Sequence, residues 1–160
     1  MKTILSYIRE QNEYYQQLLE KAENKQQAII QNDLQTIEAL NKEEEQLITE
    51  AAAIENKRIE HIEKHPEIYG EDALQLTLEE LKLRFSQDIQ EQTDIETKAL
   101  METLARLKTI NNENAELLKQ ALRMVNVTIN TIAGNEEPGS YSKEKGNNVS
   151  KNKHLFDKKI

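Results

Sequence analysis

The chain has 160 residues, a length that fits a single domain. Only 37% of the residues are hydrophobic and the mean hydropathy is −0.79, which indicates a thin core. Its formal net charge of −8 disfavours binding to nucleic acid and to anionic membrane surfaces. Cysteine is absent, which excludes disulfides and thiolate metal sites, and no segment has the apolar run of a signal peptide or a membrane span. We therefore expect a cytoplasmic protein without stable membrane insertion.

Two long helices are predicted in the first 65 residues. Apolar residues recur at alternating spacings of three and four over residues 4–29, with polar interruptions at Gln11 and Lys25. Asn32-Asp33 breaks this pattern, and Asp33 can cap a second helix over residues 34–65. On that second helix Glu43-Glu44-Glu45 should lie largely outside, and the buried side should consist of Ile37, Leu40, Leu47, Ala51, Ile54 and Ile62.

Shorter and longer helical segments follow Pro66, which disfavours continuation of the second helix. Residues 74–85 are predicted to form a short helix, capped by Asp72 or by Thr77 with Glu80 as a capping box. This helix either bends near Ser86-Gln87-Asp88 or continues into the last helix. A last long helix should cover residues 89–133 and end at Gly134. Beyond it, Gly, Ser, Asn and Lys dominate, and such a composition cannot bury enough apolar surface to order itself.

These patterns predict an all-α fold. The expected architecture is a long antiparallel helical hairpin plus a third long helix, in an elongated, coiled-coil-like bundle with a disordered C-terminal tail. The expected division is a helical bundle domain over residues 1–133 and a flexible polar tail over residues 134–160.

Enzymatic motifs are not found in the sequence. There is no phosphate-binding loop and no nucleophile arrangement, so we expect neither an enzyme nor a cofactor. His61 and His65 are spaced i, i+4 and could meet one metal ion on a helix face. Because no third ligand stands at a diagnostic distance, a solvated helix end is the favoured interpretation, and no metal site is expected.

Three asparagines interrupt the apolar pattern of the last helix, at Asn111, Asn112 and Asn114. A buried amide there could fix the register of helix packing at a cost in stability. Equally, all three could face water at a shallow point of the bundle, and the sequence leaves both readings open.

The apolar stripe of the last helix, over residues 104–132, has two readings. It is either simple core or a surface that binds a partner helix. It broadens toward its C-terminal end, no helix follows to cover it, and a polar tail comes directly after it. The candidate partner-binding residues are Leu107, Ile110, Leu117, Leu118, Ala121, Leu122, Val125, Ile129 and Ile132. The rival function is a structural coiled-coil scaffold that homodimerises through this helix.

Several blocks of the sequence resemble the FlgN family of flagellar export chaperones. Residues 18–25, 30–40 and 43–48 look like that family's amino-terminal hairpin, in which a short Asp-Leu turn, here Asp33-Leu34, joins two long helices. Residues 107–122 are similar to its last helix, where an asparagine-rich stretch precedes Leu117-Leu118 and then Gln120-Ala121-Leu122. The polar tail ending in Leu155-Phe156 and Ile160 also resembles tails in the family.

The resemblance implies a cytoplasmic chaperone of the flagellar type III export system. Its clients would be the hook-filament junction (hook-associated) proteins, kept soluble and delivered to the export gate or to components of the export ATPase complex. In that family the last helix captures a terminal helical segment of the client, which maps onto residues 107–132. A tail tyrosine linked to docking at the export gate maps onto Tyr141, which Ser142 follows, with glycine arriving only at Gly146.

Overall fold

The computed structural model describes residues 2–134, in which helices and turns occur but no strand. The helices are α1 (Ile4–Ile30), α2 (Leu34–Lys64), α3 (Pro66–Tyr69), a 3₁₀ turn (Ala73–Gln75), α4 (Leu78–Lys82) and α5 (Gln87–Ala133). The predicted all-α class and its three long helices are confirmed. None of these described helices is long and apolar enough to cross a membrane.

Contacts within the chain define two compact units, and the boundary falls inside α5. The first unit ends at Leu118, and the second begins at Lys119 and is described as far as Gly134. The predicted division into a helical domain and a polar tail stays a prediction, because residues 135–160 lie outside the described part of the chain.

The α1–α2 hairpin forms as the sequence predicts. Asn32 takes a left-handed conformation with a φ of 55°, and the Asp33 side chain caps α2 by accepting a hydrogen bond from the Thr36 amide at 3.1 Å. All the residues predicted for the buried side of α2 are buried. Because the hairpin buries one continuous stripe of each helix, the helical period alone located its core.

Polar side chains also cross the hairpin interface. Lys25, one of the predicted interruptions of α1, forms an ion pair with Glu44 at 2.6 Å, and Lys21 pairs with Glu43 at 2.5 Å. The prediction that Glu43-Glu44-Glu45 lies largely outside is confirmed, because Glu43 and Glu45 are exposed and Glu44 is half-buried in its ion pair. Ion pairs that are partly exposed to solvent contribute little to stability, so apolar burial remains the main stabilising term.

The prediction of a single short helix over residues 74–85 is wrong. After the brief helix α3, the chain instead makes the 3₁₀ turn and the short helix α4. Thr77 and Glu80 form the predicted capping box, whereas Asp72 makes no cap and pairs with Arg84 at 2.8 Å. One straight helix could not place every apolar side chain of this segment on the core, which here gathers Tyr69, Ala73, Leu76, Leu78, Leu81 and Phe85 against Ile4, Ile8 and Ile62.

Up to Leu118, α5 runs parallel to α1 and is joined to it by polar contacts. Arg9 pairs with Glu96 at 2.8 Å near one end, and Arg106 pairs with Glu23 at 2.8 Å further along. The side chains that α5 buries fully are all polar, and they are Thr93, Thr103 and Asn114. Polar bonds and half-buried leucines therefore attach this part of α5, in contrast to the apolar interface of the hairpin.

One of the three asparagines of α5 is buried and the other two are exposed. The Asn114 side chain is 2% exposed, and its Nδ2 donates a hydrogen bond to the Ala22 carbonyl of α1 at 2.9 Å. Asn111 and Asn112 face water. Burial therefore applies to Asn114 and exposure to the other two, and Asn114 supplies a buried polar contact between α1 and α5.

Candidate partner-binding site

The second unit begins with good helix formers and continues into a β-branched stretch. Gln120, Ala121 and Leu122 favour helix, whereas residues 125–132 are mostly Val, Ile, Thr and Asn, which lower helix propensity. The hydroxyls of Thr128 and Thr131 donate to the carbonyls of Met124 and Val127 one turn earlier, at 2.9 and 2.8 Å. These bonds satisfy the hydroxyl groups locally. The helix ends at Ala133.

An uninterrupted row of apolar side chains lies along this helix. At about 100° per residue, positions separated by three, four and seven fall on one face. We call this face the apolar row, and it consists of Ala121, Leu122, Val125, Ile129 and Ile132. The side chains of Leu122, Val125 and Ile129 are 50%, 53% and 50% exposed, and that of Ile132 is 73% exposed.

Exposed apolar side chains also occur outside the row. Met124, on the face beside the row, is 73% exposed, and Val127, on the face opposite the row, is 63% exposed. Soluble proteins seldom leave apolar side chains exposed in such a continuous series, and contiguous exposed patches mark surfaces that bind other proteins. Within the second unit as described, the only member of the row that is not exposed is Ala121, which is half-buried.

The other predicted partner-binding residues lie in the first unit and are half-buried. Leu117 and Leu118 pack against the cluster at the end of the hairpin, which consists of Ala28, Ile29 and Ile37. Leu107 and Ile110 are likewise half-buried. The predicted stripe therefore has two parts. Its inner part contacts the hairpin, and its other part is exposed and belongs to the second unit. Tyr141, the predicted docking residue, lies outside the described residues.

The histidine pair belongs to a small aromatic cluster. The ring nitrogen Nε2 of His61 lies 3.0 Å from the Tyr69 hydroxyl, and Nδ1 of His65 lies 2.8 Å from the His61 carbonyl. The two imidazole rings are tilted by 40° with centroids 4.4 Å apart, and the Tyr7 ring lies 5.5 Å from that of His61. The expected solvated helix end is therefore wrong, because both histidines are half-buried and hydrogen-bonded.

The surroundings of His61 lower the pKa of its imidazole. Burial, and secondarily the neighbouring His65, lower the pKa of His61 because both disfavour the imidazolium. Over residues 2–134 no group of three or more His, Asp or Glu side chains is arranged to hold a metal ion. The histidine pair connects the end of α2 to Tyr69 through the contact between His61 and the Tyr69 hydroxyl.

Ionisable groups elsewhere are perturbed by structural bonds. Hydrogen bonds from Thr36 lower the pKa of Asp33 at the start of α2, and bonds from Thr77 lower that of Glu80 in the α4 capping box. The Arg84 guanidinium lowers the pKa of Asp72 in the same way. Each of these carboxylates holds a helix end or a loop in place, which is a structural use of its charge.

Comparison with known proteins identifies a family along nearly the whole chain. The sequence profile described as FlgN protein matches residues 1–148. The match includes both units of the described structure, and therefore the hairpin, α5 and the apolar row. No curated protein and no solved structure matches the chain.

Proposed function

Because this chain belongs to the FlgN family, a family of flagellar chaperones, we propose that it is an export chaperone that binds hook-filament junction proteins and keeps them soluble. In this proposal it acts in the cytoplasm and delivers these clients to the type III export apparatus. It works by binding, and needs neither a catalytic group nor a cofactor.

The observation that carries the proposal is the exposed apolar row of the second unit. Leu122, Val125 and Ile129 each leave about half of their side chain in water. An amphipathic helix of a client also exposes an apolar face, and this face promotes aggregation until another surface covers it. Packing the two faces together removes apolar surface of both proteins from water, which is the helix-on-helix mode of recognition.

The inner part of the predicted stripe has a different role in this proposal. Leu117 and Leu118 already contact the hairpin, so only their remaining exposed surface is open to a client. The same holds for Leu107 and Ile110, which are half-buried. We place the main client contacts at Ala121, Leu122, Val125, Ile129 and Ile132.

Release of the client is as necessary as capture, and the composition of the segment favours it. Residues 125–132 are rich in β-branched side chains, which lower helix propensity, so holding this stretch helical costs conformational entropy. That cost offsets part of the contact energy and keeps affinity moderate. A chaperone that must transfer its client to another machine requires such a balance.

Delivery is assigned to the tail. Tyr141 is the residue of this chain that corresponds to the family's tail tyrosine, and we propose that it contacts the export gate or the associated ATPase complex. Tyr141→Ala should leave client binding unchanged and reduce secretion of the junction proteins in a flagellated cell. Normal secretion with this variant would reject the assignment.

The placement of the client site is tested with two matched double variants. Val125→Asp with Ile129→Asp puts two charges on the apolar row, whereas Val127→Asp with Thr131→Asp puts two charges at the same spacing on another face of the same helix. We expect the first variant to lose binding to purified junction protein and the second to retain it. Circular dichroism checks that both keep equal helical content.

Equal binding by both double variants would reject this placement of the site. The rival function, a homodimeric scaffold, is tested on the same samples by sedimentation. A tight dimer of the wild-type chain that the Val125→Asp, Ile129→Asp variant dissociates, without any binding of junction protein, would favour the scaffold.

A further inference from the structure

The apolar row has two chemically different edges. With about 100° between successive residues, Arg123, Asn126 and Asn130 fall together on the face beside Leu122. We call this face the donor edge, because guanidinium and carboxamide groups offer N–H donors there. Arg123 is exposed and forms no ion pair within residues 2–134.

The opposite edge of the apolar row offers far fewer hydrogen-bond donors. It carries Met124 and Thr128, and the Thr128 hydroxyl already donates to the Met124 carbonyl of its own helix. A partner helix seated on the row would therefore meet strong hydrogen-bond donors along one flank only. Flanking positions of packed helices set the orientation and choice of partner in the same way in coiled coils.

The charge of the segment differs in sign from that of the preceding chain. Residues 1–118 contain 13 Lys+Arg against 25 Asp+Glu, a net charge of −12. Residues 119–134 contain two basic residues, Lys119 and Arg123, and no acidic residue. A partner helix with basic flanks would find no counter-charge on this segment, whereas carboxylates would find a guanidinium and two amides in a row.

From this asymmetry we propose that the client segment seated on the apolar row is an amphipathic helix that carries carboxylates along one edge, the edge that faces Arg123. The inference rests on the proposed function and adds the chemistry and the orientation of its partner. The row from Ala121 to Ile132 rises by about 17 Å, so a client helix of about three turns covers it.

The test measures the affinity of the full chain for purified junction protein at low and at high salt. Arg123→Gln removes the charge and Arg123→Glu reverses it, while Arg123→Lys keeps it. Lys57→Glu, at an exposed position of α2, is the control that changes net charge by the same amount as Arg123→Glu. Circular dichroism of each variant checks the fold.

At low salt we expect Arg123→Gln to bind about threefold more weakly and Arg123→Glu about tenfold more weakly, with Arg123→Lys and Lys57→Glu close to the wild type. These differences should vanish near 0.5 M salt, where the Debye length falls to about 4 Å.

Two results would contradict this inference, and they differ in what they imply for the proposed function. If the Arg123 variants bind as the wild type does at low salt, or more tightly, while Val125→Asp with Ile129→Asp abolishes binding, the carboxylate edge is overturned and the proposed function stands. If the wild-type chain binds no junction protein, the proposed function is overturned and this inference with it.

Discussion

Truncating single residues of the apolar row to alanine should weaken client binding in proportion to the surface that each side chain leaves exposed. Leu122 and Ile129 are half exposed, and Ile132 is 73% exposed. Burying a whole Leu or Ile side chain contributes about 1.5–3 kcal/mol, so completing the burial of a half-exposed one contributes about 1 kcal/mol. Leu122→Ala and Ile129→Ala should therefore each raise the dissociation constant about fivefold, and Ile132→Ala about tenfold.

The assay is isothermal titration of the full chain with purified junction protein, with urea unfolding of each variant measured in parallel. Leu118→Ala is the comparison, because Leu118 packs on the hairpin cluster of Ala28, Ile29 and Ile37. It should lower the free energy of unfolding by about 1–2 kcal/mol, since only part of its side chain is buried. The row variants should unfold as the wild type does.

The reasoning is refuted if the row variants and Leu118→Ala lower the free energy of unfolding equally, since the row would then be core. It is also refuted if all the variants bind junction protein with the affinity of the wild type.

Other expected outcomes concern the first unit. Asn114→Ala should lower the free energy of unfolding in urea by about 1–3 kcal/mol because it removes the buried bond to Ala22, while Asn114→Leu should cost less because it fills the space and buries no amide; equal losses would contradict this. Asp33→Ala should cost about 1 kcal/mol, and Asp33→Asn much less, because asparagine also caps α2. Burial and His65 lower the pKa of folded His61, so its contribution to stability is complete above about pH 6.5 and is lost as pH falls through the lowered pKa. His61→Gln should flatten the fall in unfolding free energy between pH 7 and pH 5, and an unchanged slope would contradict that.

Periodicity located the hairpin well because each of its helices buries one stripe against the other. The buried side of α2 was predicted completely, from Ile37 to Ile62, and Asp33 caps the helix as its position before Leu34 suggested. In both cases the deciding interaction is local or repeats with the helix, so the sequence carries it directly.

The segment between α2 and α5 was not predictable in this way. Pro66 opens a new helical turn at its first position, and Gly70 then takes a φ of 93°, which reorients the chain. Leu74 is exposed, whereas Leu76 packs on the core. Tertiary contacts with α1 and α2 overrode helical spacing in these short elements, and no local pattern encodes such contacts.

The candidate site was predictable in part. The breadth of the apolar stripe indicated that α5 had more apolar surface than one neighbour could cover. The sequence could not tell where burial ends, because Leu118 and Leu122 have the same residue type and lie one turn apart, yet the first packs on the hairpin and the second is half exposed. Nor could it distinguish Asn114 from Asn112, since that depends on the phase of α5 against α1.

Hydrogen exchange of the backbone amides from Ala121 to Ala133 tests the central claim most directly. In the free chain these amides should exchange rapidly, because the apolar row is uncovered and the stretch is β-branched. Adding junction protein should slow them strongly, with little change in the α1–α2 hairpin. Amides already fully protected in the free chain, or a complex that forms without slowing them, would contradict the claim that this row receives the client.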